Sequence, residues 1–204
     1  MFKKIIIAAA FVVSVAFAHM DVSGHAAFSY GTLWGENTDD IDWGAGFIVG
    51  PEVKYSINPL LSVISGLELD YRRASYDYHV DYDRLIDPDL RDYTVTETTS
   101  SMYLDIPVLL RVSPVSFFFV DAGLNLGFNL SATNTMEYSG NSISDDLSSQ
   151  TKFFEFSLVC GLGFAVIADL ELNFRAVFGL TSMAKKSDDA KNLRLQTGIT
   201  YWSF

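Results

Sequence analysis

The sequence predicts an all-β fold: a closed, eight-stranded, antiparallel up-and-down barrel that crosses a membrane with its strands. Three observations carry that prediction. Segments of alternating apolar and polar residues recur along the chain, the connections between them alternate between long polar loops and short turns, and the chain opens with an export leader. Alternation puts the two residue sets on opposite faces of a strand. In a water-soluble barrel the apolar set points inward. A membrane barrel turns it outward to lipid and lines the lumen with polar side chains.

The leader comes first. Met1-Phe2-Lys3-Lys4 is followed by an apolar run from Ile5 to Phe17 broken only by Ser14, and Ala16-Phe17-Ala18 precedes His19. A basic start, a short apolar run and small residues two apart make a secretory signal over residues 1–18, cleaved after Ala18. The run falls short of the roughly 20 apolar residues that a spanning helix needs, which disfavours a retained anchor. The most apolar later stretch, 117–128, is interrupted by Asp121 and Asn125, so no transmembrane helix is expected. Residues 19–204 are then one barrel domain.

Composition narrows the function classes. The formal net charge of −11 becomes −13 when Lys3 and Lys4 leave with the leader, and such a surface repels nucleic acid. Cys160 is the single cysteine, which excludes an internal disulfide, and its place among apolar residues reads as a small hydrophobe. Ten Tyr, 16 Phe and 14 Gly beside 5 Pro suit strands that carry bulky outward groups and allow close backbone approaches.

Strand one is read over 19–34, with Met20, Val22, Ala26, Phe28, Tyr30 and Trp34 on one face and Asp21, Ser23, His25 and Ser29 on the other. The turn-forming, charged run 35–40 ends it. Strand two spans 43–55, and Asn58-Pro59 marks a tight turn. The clearest alternation is strand three, 61–73, where Leu61, Val63, Leu67, Leu69 and Tyr71 oppose Glu68, Asp70 and Arg72. Residues 74–100, rich in Tyr and Asp, hold no sustained period and are expected to form a large polar loop, with strand extensions at its ends.

Strand four, 101–112, sets Met102, Leu104, Ile106, Val108 and Leu110 against Tyr103, Asp105 and Arg111. Strand five, 116–130, opposes its Phe, Val and Leu residues to Asp121, Gly123, Asn125, Gly127 and Asn129. A second polar loop is expected over 131–152. Strand six, 153–168, and strand seven, 170–180, alternate in the same way, and the turn at Asp169 joins them. Strand eight runs from Leu193 to Phe204 with uneven parity, because Trp202 and Phe204 fall opposite Leu193, Leu195, Ile199 and Tyr201. A β-bulge near Tyr201 is expected to bring Trp202 and Phe204 back outward.

An even strand count with long loops at one rim and short turns at the other is the layout of a bacterial outer-membrane barrel. Eight strands leave an interior that side chains fill. The inward set expected there is Glu52, Lys54, Glu68, Asp70, Arg72, Asp105, Arg111, Asp121, Glu155, Glu171, Arg175 and Arg194. Such charges are tolerable inside only as a paired, hydrogen-bonded network.

Particular motifs carry a family likeness. Tyr103-Leu104-Asp105-Ile106-Pro107-Val108-Leu109-Leu110-Arg111 resembles the fourth strand of the PorT-like outer-membrane β-barrel domain family, which typically reads Tyr-Leu-Glu-Ile-Pro-Leu, then apolar residues and a basic one. Asp121-Ala122-Gly123-Leu124, Gly161-Leu162-Gly163 and Leu172-Asn173-Phe174-Arg175 through Gly179-Leu180-Thr181 resemble its later strands in the same order. Asp105 stands where that family has Glu, and Phe174 precedes Arg175 where a Tyr follows in the family. Trp202-Ser203-Phe204 looks like the aromatic-x-Phe assembly signal, which implies that barrel-assembly machinery is a partner. The resemblance implies a Gram-negative outer-membrane location in contact with lipid, and little about activity.

No catalytic residue, cofactor or metal is assigned from the sequence. His79 lies among Asp77, Asp81 and Asp83, but that spacing lacks the glycine of a cation-binding loop, so a solvated acidic loop is preferred to a metal or acid/base site. His25 reads as a hydrogen-bonded lumen residue. Gly161 and Gly163 lie inside a strand, where close packing is a better account than a phosphate loop. The leading expectation is a structural and interaction protein, not an enzyme, that meets an unidentified extracellular or envelope partner through loops 74–100 and 131–152. A narrow channel, a rim-located outer-membrane enzyme and a secreted barrel carrying a lipophilic ligand remain the alternatives.

Overall fold

The structure is a computed structural model that describes residues 20–35, 41–80, 93–138, 141–148, 151–182 and 190–203. The leader 1–18, His19 and Phe204 lie outside the described residues. The strands are β1 (Met20–Trp34), β2 (Ile41–Asp42), β3 (Gly44–Asn58), β4 (Leu61–Gly66), β5 (Glu68–Val80), β6 (Tyr93–Val115), β7 (Phe118–Tyr138), β8 (Asn141–Asp146), β9 (Phe154–Ile167), β10 (Leu170–Gly179) and β11 (Lys191–Ser203). Every pairing is antiparallel.

β4 and β5 form one ribbon of the wall. They separate at Leu67, whose N–H donates to the Pro51 carbonyl at 3.0 Å. Proline has no N–H to return, so the ladder lapses for one residue while side-chain parity continues. With that ribbon counted once, β1, β3, β4/β5, β6, β7, β9, β10 and β11 pair in succession, and β11 pairs with β1 to close the ring. Stepping from Met20 through Tyr55, Val63, Leu110, Ala122, Cys160, Ala176 and Leu195 leads back to β1 at Tyr30. The strands are therefore staggered and tilted, as closure of a barrel requires.

Sidedness is that of a membrane barrel. Phe28, Phe47, Leu69, Leu110, Leu124, Leu158, Phe164, Leu195 and Ile199 are all exposed on the outer face, whereas Glu52, Asp70, Asp105, Asp121, Arg175 and Arg194 are buried inside. Cys160 is exposed on the outer face too. An outer surface this apolar is at home against acyl chains and out of place in water.

Residues 74–100 carry the strand extensions expected at their ends, and 131–152 holds more strand than its composition suggested. β5 and β6 stay paired as far as Val80 and Tyr93, and β7 continues to Tyr138 before β8 folds back on it. Here the buried face is built largely of small or polar residues such as Thr98, Ala132 and Asn134, so no apolar alternation marks the strands. Residues 81–92 lie outside the described ones.

The expectation for the last strand needs correcting. β11 pairs with β1 and β10 without a register shift, so no bulge turns Trp202 outward. Trp202 is instead buried in the lumen, packed with Ile64, Leu109, Val159 and Val177. The interior thus contains an apolar layer as well as ions. A checkable consequence concerns lipid contact. In a variant whose only tryptophan is Trp202, acyl chains brominated along their length should leave the fluorescence unquenched. Variants retaining only the exposed Trp34 or Trp43 should be quenched.

Candidate functional site

The strand parity that sends leucines and phenylalanines to lipid sends every second residue into the lumen, where ion pairs tie the wall together at three levels. Nearest the short turns, Arg111 on β6 faces Asp121 on β7 directly. Its Nε and Nη2 donate to the two Asp121 oxygens at 2.8 and 2.9 Å, and Nη1 donates to Glu171 Oε2 on β10 at 2.6 Å. The guanidinium lies 3.4 Å from the centre of the Phe119 ring, whose face favours a cation. Lys54 stands at the edge of this end. It pairs with Asp21 at 3.0 Å and covers the Trp202 ring at 4.2 Å, with 20% of its side chain exposed.

At the middle level Arg175 reaches across from β10. Nη2 donates to Glu52 Oε1 on β3 at 2.8 Å, and Nη1 lies 3.5 Å from Glu68 Oε1 on β5. His25 Nδ1 on β1 hydrogen-bonds the same Glu68 oxygen at 2.7 Å. Gly50 lies between His25 and Glu68 on β3, and a Cβ there would stand 2.1 Å from the Leu67 carbonyl oxygen. The missing side chain lets the two partners meet. His25, Glu52 and Glu68 each offer one metal-ligating atom within 4.8 Å of the others. Arg175 already places its cation against both carboxylates, so the group is coherent as an ion-pair cluster.

Toward the long-loop rim, Arg72 on β5 donates through Nε to Asp70 at 2.8 Å, through Nη1 to Glu155 on β9 at 2.6 Å, and through Nη2 to both Asp105 oxygens on β6 at 3.1 and 3.0 Å. Its guanidinium stacks 3.7 Å above the Tyr103 ring. Arg194 on β11 pairs with Asp70 and reaches Asp105 Oδ2 at 3.5 Å. Glu155 also accepts from Ser157 at 2.9 Å and Asn192 at 3.3 Å.

The pairs are buried, which makes their geometry decisive. A buried ion is several kcal/mol worse off when its partner is removed, whereas a complete network roughly offsets its own desolvation. Arginine suits this task because its planar fork satisfies several carboxylates at once. The buried carboxylates Glu52, Glu68, Asp70, Asp105, Asp121, Glu155 and Glu171 still outnumber Arg72, Arg111, Arg175 and Arg194. The lumen is net acidic.

Periodicity places the charges, His25 and Tyr103 on the inward face, and His25 is a hydrogen-bonded lumen residue as expected. It does not reveal that the Tyr103 and Phe119 rings cradle guanidiniums, although Phe119 shares a face with the lumen ion Asp121. His79 pairs through its backbone with Thr94 in β5, and its side chain lies outside the described residues.

A model of the outer membrane protein beta-barrel domain matches residues 17–185. The chain belongs to that family. As an outer-membrane barrel its surroundings are lipid, and its strands are the membrane-crossing elements. No curated protein matches the chain. Among solved structures, this family member is similar to Ail, the attachment invasion locus protein of Yersinia pestis, at 13% identity and a TM-score of 0.47, covering 90% of this chain and 97% of that one. It is also similar to a major outer membrane protein of Thermus thermophilus, at 12% identity and a TM-score of 0.46, covering 89% and 99%. Neisserial surface protein A matches at 12% identity with a TM-score of 0.44, covering 90% and 96%.

Proposed function

We propose that the protein is a plugged outer-membrane barrel that works as a structural and interaction protein through its long-loop rim, with no catalytic role. Support comes first from the lumen, where Arg111, Arg175 and Arg72 each bind carboxylates on other strands and so tie opposite walls together. Such ties leave side chains where a channel needs water. The apolar layer around Trp202 adds a further obstruction.

The rim supplies the interaction surface. A strand crosses the bilayer in about 9–11 residues, yet β6 has 23 and β7 has 21. The surplus forms a wall of β5, β6, β7 and β8 that rises beyond the ring at the long-loop end. Hydroxyl pairs such as Ser75 with Thr98 at 3.2 Å and Thr135 with Ser144 at 3.0 Å stiffen it, and β8 is exposed along its whole length. A partner outside the cell or within the envelope meets this rigid polar wall. The reading includes export by the 1–18 leader, recognition by assembly machinery at the C-terminal aromatic segment, and kinship with the PorT-like barrels through Tyr103–Arg111.

Conductance tests the plugged lumen. Purified protein in planar bilayers is expected to give no stepwise current, and regular single-channel steps would replace this reading with the narrow channel. Orientation is tested on intact cells, where added protease is expected to cut within 131–152 while the barrel remains in the membrane.

A further inference from the structure

The lumen is filled below and hollow above. Over the Arg72–Arg194 layer lies a cavity of about 360 Å³, open at the long-loop rim, between β1, β3, β5, β6 and β11. That volume is within the range of small-molecule pockets. The cavity arises because the inward positions at this end are small: Ser29 and Gly31 on β1, Gly44 and Gly46 on β3, Ala74 on β5, and Ser101 on β6. A Cβ on Gly46 would lie 2.2 Å from the Tyr71 carbonyl oxygen, so this part of the wall is bare backbone.

We infer that this vestibule binds a small neutral polyhydroxylated solute, of the sugar class. Hydrogen-bonding capacity is the first argument. Arg194 Nε is buried without an acceptor among the described residues, while Ser29 and Ser101 are hydroxyl-bearing residues of the cavity lining. Asn192 also lines the cavity and gives Nδ2 to Glu155, which leaves its amide oxygen as an acceptor. Donors and acceptors thus sit around one space, as a polyol requires.

Charge is the second argument, and it selects neutrality. Arg72 and Arg194 form the floor, but Asp70, Asp105 and Glu155 already bind them and outnumber them. On the wall Glu97 and Arg73 carry opposite charges. The floor guanidiniums are already matched by carboxylates that lie outside the lining, so an added ion of either sign lacks an unpaired partner on the floor. A neutral ligand bonds both kinds of group without adding a charge that the site must balance.

The test uses the protein purified from outer membranes and placed in phosphatidylcholine nanodiscs, which bring no sugar headgroup. Saturation-transfer NMR is run with glucose, N-acetylglucosamine, inorganic phosphate and spermidine as probes. At least one sugar is expected to receive saturation, and its affinity is expected to fall about tenfold or more in Ala74→Trp, which fills the cavity from the rim. Ser101→Ala, a smaller change, should weaken the same signal several-fold. A heat-modifiable gel shift verifies barrel closure in each variant. The inference is overturned if neither sugar receives saturation, if phosphate or spermidine binds in place of the sugars, or if a folded Ala74→Trp variant binds as the unaltered protein does.

Discussion

Replacing Arg72 by alanine is expected to lower the folding stability of the barrel by about 3–5 kcal/mol, the usual cost of stranding buried charges. Arg72 holds Asp70, Asp105 and Glu155 together, and its loss leaves Arg194 alone to face them. Denaturant unfolding of the refolded protein in lipid vesicles gives the measurement. Arg72→Lys should rescue little, because an ammonium cannot direct separate hydrogen bonds into three carboxylates while stacking on Tyr103. Adding Asp105→Asn to Arg72→Ala should recover part of the loss, since it removes one of the unpaired charges. An Arg72→Ala protein that unfolds at the wild-type denaturant concentration would show that the network contributes nothing to stability.

Leu124→Arg is expected to cost about 2–4 kcal/mol, the penalty for an arginine facing lipid near the bilayer midplane. Leu124 lies midway along the membrane-crossing part of β7, is 40% exposed and pairs with Val108 and Leu158, which are exposed on the same outer face. On a water-facing surface the same change falls within roughly ±0.5 kcal/mol. The two environments therefore predict clearly different outcomes for one substitution. Unfolding in vesicles, together with the fraction that shows the heat-modifiable shift, reads the result. Wild-type stability would contradict a lipid-facing β7.

These two positions also show how differently the sequence reports its parts. Leu124 and Arg72 are assigned to opposite faces by counting in twos, because a strand has no other choice of side-chain direction. That rule holds wherever one face meets lipid and the other the lumen. It fails above the membrane, where Thr96, Thr98, Thr133 and Thr135 belong to paired strands yet offer no contrast between faces. It holds at Trp202, where an aromatic side chain suggests lipid but the register points inward. The ladder is continuous, and Trp202 fills the lumen beside Val159 and Val177.

The sequence alone determined the fold class, the order of the membrane-crossing strands and the inward placement of the charges, since each follows from periodicity along a single strand. Which ions pair, where the lumen is apolar and where it is hollow follow instead from how the strands assemble around the ring. Arg175 finds Glu52, and Arg72 finds Glu155, across the lumen between strands that are not neighbours in the wall. Those partners depend on the stagger with which the ring closes, and stagger is a property of all the strands together.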